Sequence, residues 1–218
     1  MDQALLHLIN ERWTNPALDL FMAAISDAEI WKPFFIVVLL CALIFGRFKG
    51  RAFVACLAFA FAISDTFVVP TLKNAINRQR PKQVQVVRMV QLQKATPKFL
   101  TLFKKPKIHY SVPREEAERS GPSFPSGHTT DNVLIATCCT LFFRRWGWLW
   151  FVVAAAISYS RIYLGAHWPS DVLSSAFMAA GETLLMLAIF ELVWRWAGAR
   201  FLPQIFARHP RLIEASAR

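Results

Sequence analysis

The chain reads as apolar runs separated by short charged turns, with one long exception. A helix needs about 20 apolar residues to cross a bilayer core. Five stretches approach that length: Ile30–Gly46, Ala52–Leu72, Gly127–Phe143, Trp146–Leu164 and Val172–Trp196. The third is the more polar at its start. Helix is the expected form for all five, because each backbone amide then finds its partner inside its own segment. The first 29 residues differ: Leu5, Leu6, Leu8, Ile9 and Trp13 alternate with Asp2, His7, Glu11 and Arg12, and Pro16 opens a second short piece, Leu18–Ser26. Both are too short to span and are expected to lie as amphipathic helices at the membrane interface. No basic segment precedes an apolar core there, so a cleavable signal peptide is not expected.

The exception is a 51-residue connection from Lys73 to Ser123. Structureless connections of that length are uncommon in compact domains and are usually functional. Within it Val84, Val86, Val90 and Leu92 alternate weakly, as a short strand would. Phe99, Leu100, Leu102 and Phe103 stand beside Lys104, Lys105 and Lys107, a pattern that fits either an anionic membrane surface or a solvated loop. No repeat, low-complexity stretch or Gly/Ser linker divides the chain. The expected organisation is one membrane domain over 1–218, with a core of about 30–196, interfacial helices at 1–29, an outer loop at 82–123 and a cytoplasmic tail at 197–218.

Composition agrees with the runs. Hydrophobic residues make up 55% of the 218 and charged residues only 18%, against about a quarter in ordinary soluble domains. The abundance of Phe and Trp excludes disorder. A disulfide scaffold is excluded too: Cys41, Cys56, Cys138 and Cys139 all sit inside apolar runs, where free thiols are expected. The net charge of +11 pulls the other way, toward an anionic partner. Ten basic residues fall on the short turns and the tail, Arg47, Lys49, Arg51, Arg144 and Arg145 among them, and that side would be cytoplasmic. Fifteen fall on the opposite side, twelve of them between Lys73 and Arg119, so the bare count opposes this orientation unless those cations have another task.

That task is suggested by three clusters at the ends of runs on one face. They read Lys73-x6-Arg80-Pro81, Pro125-Ser126-Gly127-His128, and Ser160-Arg161-x5-His167-x3-Asp171. Lys73, Arg80 and Arg161 supply fixed charge and forked donors suited to phosphate oxygens. Ser126-Gly127 precedes a helix, whose free N–H groups favour an anion, and Gly127 allows close approach. One histidine can attack phosphorus, a carboxylate can fix its tautomer, and a second histidine can protonate the leaving oxygen. Together they describe phosphoryl transfer by charge stabilisation.

These motifs resemble the signature of the type 2 phosphatidic acid phosphatase (PAP2) superfamily, which also includes vanadium haloperoxidases. The match covers about residues 30–196 in order and without departure. The resemblance implies an all-α, polytopic helical bundle of about five spans plus interfacial N-terminal helices. It implies that Lys73, Arg80 and Arg161 bind the phosphate, with Ser126 and Gly127 adding hydroxyl and backbone contacts. His128 would be the general acid, His167 the nucleophile, and Asp171 its support. No metal or other cofactor is implied, and nucleic acid is not an expected partner. The implied protein is a lipid phosphatase of the bacterial inner membrane with its site facing the periplasm, where the surplus cations would hold substrate. Undecaprenyl pyrophosphate or a phospholipid is the expected substrate. A lipid A phosphatase, a lipid phosphotransferase, a vanadate-dependent haloperoxidase and a non-catalytic phospholipid-binding protein are the alternatives.

Other residues have plainer readings. Arg78, Lys82 and Lys32 read as snorkelling anchors. Asp131 reads as a helix cap, while Asp65 and Glu182 need partners near hydrocarbon. Trp168 and the other flanking tryptophans read as interface anchors, Trp168 also as part of a lipid entrance.

Overall fold

The structure, a computed structural model, describes residues 1–114 and 121–213, with residues 98 and 99 described by their backbone alone. Arg119 and Arg218 lie outside the described residues. The molecule is mostly helical. Helices α1 (Asp2–His7, continued by a π-helical turn Leu8–Arg12), α2 (Pro16–Ser26), α3 (Ala28–Phe45) and α4 (Arg47–Ile63) come first. A π-helical turn Ser64–Val68 joins α4 to α5 (Val69–Ile76), and a short α6 (Pro81–Val84) follows. The bundle closes with α7 (Gly127–Phe142), α8 (Trp150–Tyr163), α9 (Pro169–Phe201) and α10 (Pro203–Arg208).

Three helical stretches are long and apolar enough to cross a membrane: Ala28–Phe45, Arg47–Val84 and Pro169–Phe201. The third and fourth expected spans are helices, but at 16 and 14 residues they fall short of the usual length. The reason lies in their position. Helix α7 packs against α8, α9 and α4, so protein rather than lipid surrounds much of it. In contrast α3 buries none of its residues and presents Phe34, Ile36, Val37, Leu40 and Ile44 outward, an apolar surface that water would oppose. Helix α9 runs on past Trp196 to Phe201 and is 33 residues long in all, about 50 Å. The tail then folds back onto it: Leu212 donates its N–H to Glu191, and His209 stacks on Phe48 at 4.1 Å. All four cysteines are free, with Cys56 and Cys138 buried and Cys41 exposed.

The N-terminal helices do more than rest at an interface. Leu6, Ile9, Met22 and Ala23 are buried in one cluster with Val87, Val90, Tyr163 and Trp168. Trp168 is therefore a core residue, not an interface anchor. Each fully buried aliphatic side chain there contributes roughly 1.5–3 kcal/mol. Polar groups lock the same contact. The Asn10 amide donates to the carbonyls of Arg88 and Tyr163 at 2.7 Å each, and accepts the Arg88 N–H. Asp19, also buried, accepts from Arg88 at 2.5 Å and from the Tyr163 hydroxyl at 2.7 Å. Asp19→Ala leaves that guanidinium and hydroxyl unpaired in the interior, so it is expected to cost about 3 kcal/mol, measured as a loss of thermal stability in detergent.

The long connection contains the strand its alternation predicts, shifted to Arg88–Gln91 (β1), paired antiparallel with Lys107–Tyr110 (β2). The segment Lys98–Phe103 is a 3-10 turn that packs against α3. The hairpin settles over the loop after α8. Gly165 has φ +66° and its missing Cβ would stand 2.9 Å from the Val87 side chain, so glycine alone fits both the backbone and the contact.

Candidate active site

Helix α5 ends at Asn77, which adopts the left-handed conformation (φ 44°, ψ 37°) that Asn tolerates better than most residues. The chain turns there, and the next residues come back toward the start of α9. Arg78 donates to Asp171 at 2.5 Å, to Ser170 at 2.7 Å and to Asp2 at 2.6 Å. It also lies over the Trp168 ring at 5.5 Å. The anchor reading of Arg78 is thus corrected: it is a half-buried ion-pair partner, because α1 and α9 both bring carboxylates to it. Asp2 accepts in addition from the Ser170 N–H and hydroxyl. Burial alone would raise the Asp2 carboxyl, but the bonds from Ser170 and Arg78 hold it below the usual carboxylate range. Lys32 is exposed and pairs with Glu29, whereas Lys82 lies within electrostatic reach of Arg80, Arg161 and Arg114, whose like charges act against its own.

Ser123, fully buried, sits at the centre of the next link. Its N–H donates to the Arg78 carbonyl at 2.6 Å and its hydroxyl to Asp171 at 2.5 Å. His167 Nδ1 donates to the Ser123 carbonyl at 2.6 Å. The expected direct bond from Asp171 to His167 is replaced by this arrangement: among the described residues, Ser123 stands between them. The tautomer with the proton on Nδ1 leaves the Nε2 lone pair free. Burial, then the charges of Arg80 and Arg161, push His167 well below its ordinary value, so it is a neutral imidazole.

Arg80 donates through Nε to the carbonyls of Gly121 and Pro122, which fixes its stem. Arg161 donates through one terminal nitrogen to the Ser26 hydroxyl, while its Nε is buried without a partner among the described residues. His128, at the second position of α7, lies 3.2 Å through Nε2 from the Ser26 carbonyl. Arg80, Arg161, His128 and His167 influence one another's charge and form one group. Lys73 has a different neighbourhood, beside Asp65 and Asp131. Asp131 does not cap α7; one of its carboxylate oxygens is buried without a partner among the described residues. Glu182 lies near Ser64 of the neighbouring span, but both of its buried carboxylate oxygens lack a hydrogen-bond partner among the described residues.

At the head of α7, Ser126 is fully buried and its N–H is spent on the Ser175 hydroxyl at 2.8 Å. The Ser126 amide expected to face an anion is therefore already satisfied. Gly127 is the open position, where an added Cβ would meet nothing within 4 Å. Gly127→Ala is expected to leave thermal stability almost unchanged and to raise KM for a phosphorylated substrate several-fold, because the methyl would occupy space an anion needs.

Sequence reasoning missed Ser123, Ser26, Asp2 and the role of Arg78. Ser123 and Arg78 lie within three residues of motif positions, so proximity was a usable signal. Ser26 and Asp2 had none, since they meet their partners only across 76 or more residues of chain.

The model of the PAP2 superfamily matches residues 49–195. The chain belongs to the PAP2 superfamily. A putative undecaprenyl-diphosphatase, YbjG, of Escherichia coli is 34% identical over 84 residues, 38% of this chain and 40% of that protein. A lipid A 4'-phosphatase of Bacteroides thetaiotaomicron is 25% identical over 169 residues, 75% of this chain and 66% of that one. The match thus spans less than two thirds of either relative. The crystal structure of Aquifex aeolicus LpxE superposes with a TM-score of 0.53 over 86% of this chain and 94% of that one, at 22% identity, a likeness of fold.

Proposed function

We propose that this PAP2 member is an integral-membrane lipid phosphatase that works through a phosphohistidine on His167. The observation that carries the reading is a neutral, buried imidazole held by its Nδ1 proton, next to two guanidiniums, one with an unpartnered Nε. Arg80 and Arg161 take the phosphate oxygens, and the space beside Gly127 admits the group. His167 Nε2 attacks phosphorus, and the bond from phosphorus to the leaving oxygen breaks. His128 gives that oxygen a proton, exchanging its contact with Ser26 for one to the leaving group. Water then attacks the phosphohistidine and gives a proton to His128 as the P–N bond breaks, releasing phosphate and restoring both histidines. Asp171 acts through Ser123, whose carbonyl keeps the reactive nitrogen of His167 aimed outward. Lys73 lends long-range positive charge from beside Asp65 and Asp131.

The helices α7 and α8 complete five membrane passes, and the site faces the periplasm of a bacterial inner membrane. Undecaprenyl pyrophosphate or a phospholipid is the substrate on this reading, supported by the name of the E. coli relative. A lipid A phosphatase is the second reading, supported by the name of the Bacteroides relative. The test is phosphate release by purified protein from undecaprenyl pyrophosphate, phosphatidate, phosphatidylglycerol phosphate and lipid A. At least one is expected to be hydrolysed in a His167-dependent manner; none hydrolysed would end the proposal.

A further inference from the structure

The end of α2 reaches the candidate phosphate site although it lies outside residues 49–195, which the family model matches. Asp19, Met22, Ala23 and Ser26 recur at helical spacing and are all buried, so they share one face. That face docks on α8, the helix that carries Arg161. The Tyr163 hydroxyl donates to Asp19 at 2.7 Å, and Met22 and Ala23 pack with Ile162 and Tyr163 in the core. The Trp31 indole donates to the Ala24 carbonyl at 2.9 Å, which ties the end of α2 to α3. Ser26 is therefore held by a docked helix end rather than by a loop.

Ser26 closes α2, so its carbonyl has no N–H to accept within the helix. His128 Nε2 fills that place at 3.2 Å. A carbonyl only accepts, so the proton of a neutral His128 is on Nε2. The Ser26 hydroxyl accepts from a terminal nitrogen of Arg161, and among the described residues nothing accepts its own hydrogen. The Nε–H of Arg161 is likewise unspent among them. Two open donors on adjoining groups, beside a fixed guanidinium charge, suit one oxygen-rich anion. We propose that Ser26 is a further phosphate-binding residue: its hydroxyl keeps the contact from Arg161 and donates its hydrogen to an oxygen of the phosphate which that guanidinium holds. The N-terminal helices then supply part of the site, and a bound phosphate in turn fastens α2 to α8. The inference deepens the phosphatase reading and rests on it for the position of the phosphate at His167.

Calorimetric titration of the detergent-solubilised full chain with inorganic phosphate tests it. Ser26→Ala is expected to weaken binding about tenfold or more, the loss of one hydrogen bond to a charged group. Ser26→Thr keeps the hydroxyl and is expected to stay within about threefold of the unsubstituted chain. Thermal unfolding is the control for folding: the contacts of Asp19, Met22 and Ala23 are untouched, and added phosphate is expected to stabilise Ser26→Thr more than Ser26→Ala. Unchanged or tighter binding by Ser26→Ala, equal weakening by both variants, or no binding by the unsubstituted chain overturns the inference. If the pattern is found as described but no lipid gives His167-dependent phosphate release, the assignment of Ser26 stands and the phosphatase reading falls.

Discussion

His167→Ala is expected to lower kcat by at least about 10⁴-fold, with lipid binding retained. The size follows from the proposed role, in which the imidazole forms the bond to phosphorus. Arg80 and Arg161 remain to hold the phosphate, so affinity survives. The same side chain sets the acid limb of the pH profile. Only the neutral imidazole attacks, and burial beside two guanidiniums moves its titration well below the ordinary value of 6.5. The imidazole therefore stays reactive as pH falls through 6.5, and kcat/KM is expected to decline only at more acid pH. A bound phosphate anion favours the protonated form, so the acid limb of kcat is expected to lie above that of kcat/KM. Initial rates from pH 4 to 8 measure both. An acid limb of kcat/KM at or above 6.5 would contradict the buried, neutral state.

Arg78→Ala is the second large effect, and its main readout is stability. Asp171 is almost fully buried, and Arg78 is its cationic partner. Removing one member of such a pair leaves an uncompensated charge, a loss of about 3 kcal/mol or more. The same change removes Arg78 from Asp2 and Ser170 and leaves α1 held to α9 there by the Asp2–Ser170 bonds. Thermal unfolding in detergent is expected to shift down by several degrees. The double variant Arg78→Met with Asp171→Asn should regain much of the loss, since it removes both charges together. Activity would not return in step, because Asp171 also fixes the Ser123 hydroxyl, and through Ser123 the aim of His167.

Much of this was legible in the sequence because it is local. The period and length of apolar runs give helices wherever side chains must meet lipid, and α3 and α9 follow that rule closely. Histidines and arginines set around Pro, Ser and Gly at fixed spacing mark the catalytic positions, because a phosphate needs those groups at helix ends. The break in the second span at Ser64–Val68 has a local cue in Pro70, whose missing N–H interrupts the α-helical ladder, but that cue does not by itself specify a π-helical turn. The shortness of α7 and α8, which protein contacts tolerate, and the burial of Trp168 under α1 were not legible.

By itself, then, the sequence determined the apolar helical class, the PAP2 phosphatase family and the motif residues proposed to carry its chemistry, because hydropathy and motif spacing are properties of neighbouring positions. Only the tertiary structure decided which partner each of those residues takes. It put Ser123 between Asp171 and His167, turned Arg78 from an anchor into an ion pair, moved Lys73 beside two carboxylates, and brought Ser26 to Arg161 and His128. Those choices depend on contacts between segments far apart in the chain, where many pairings satisfy the same local pattern and packing selects one.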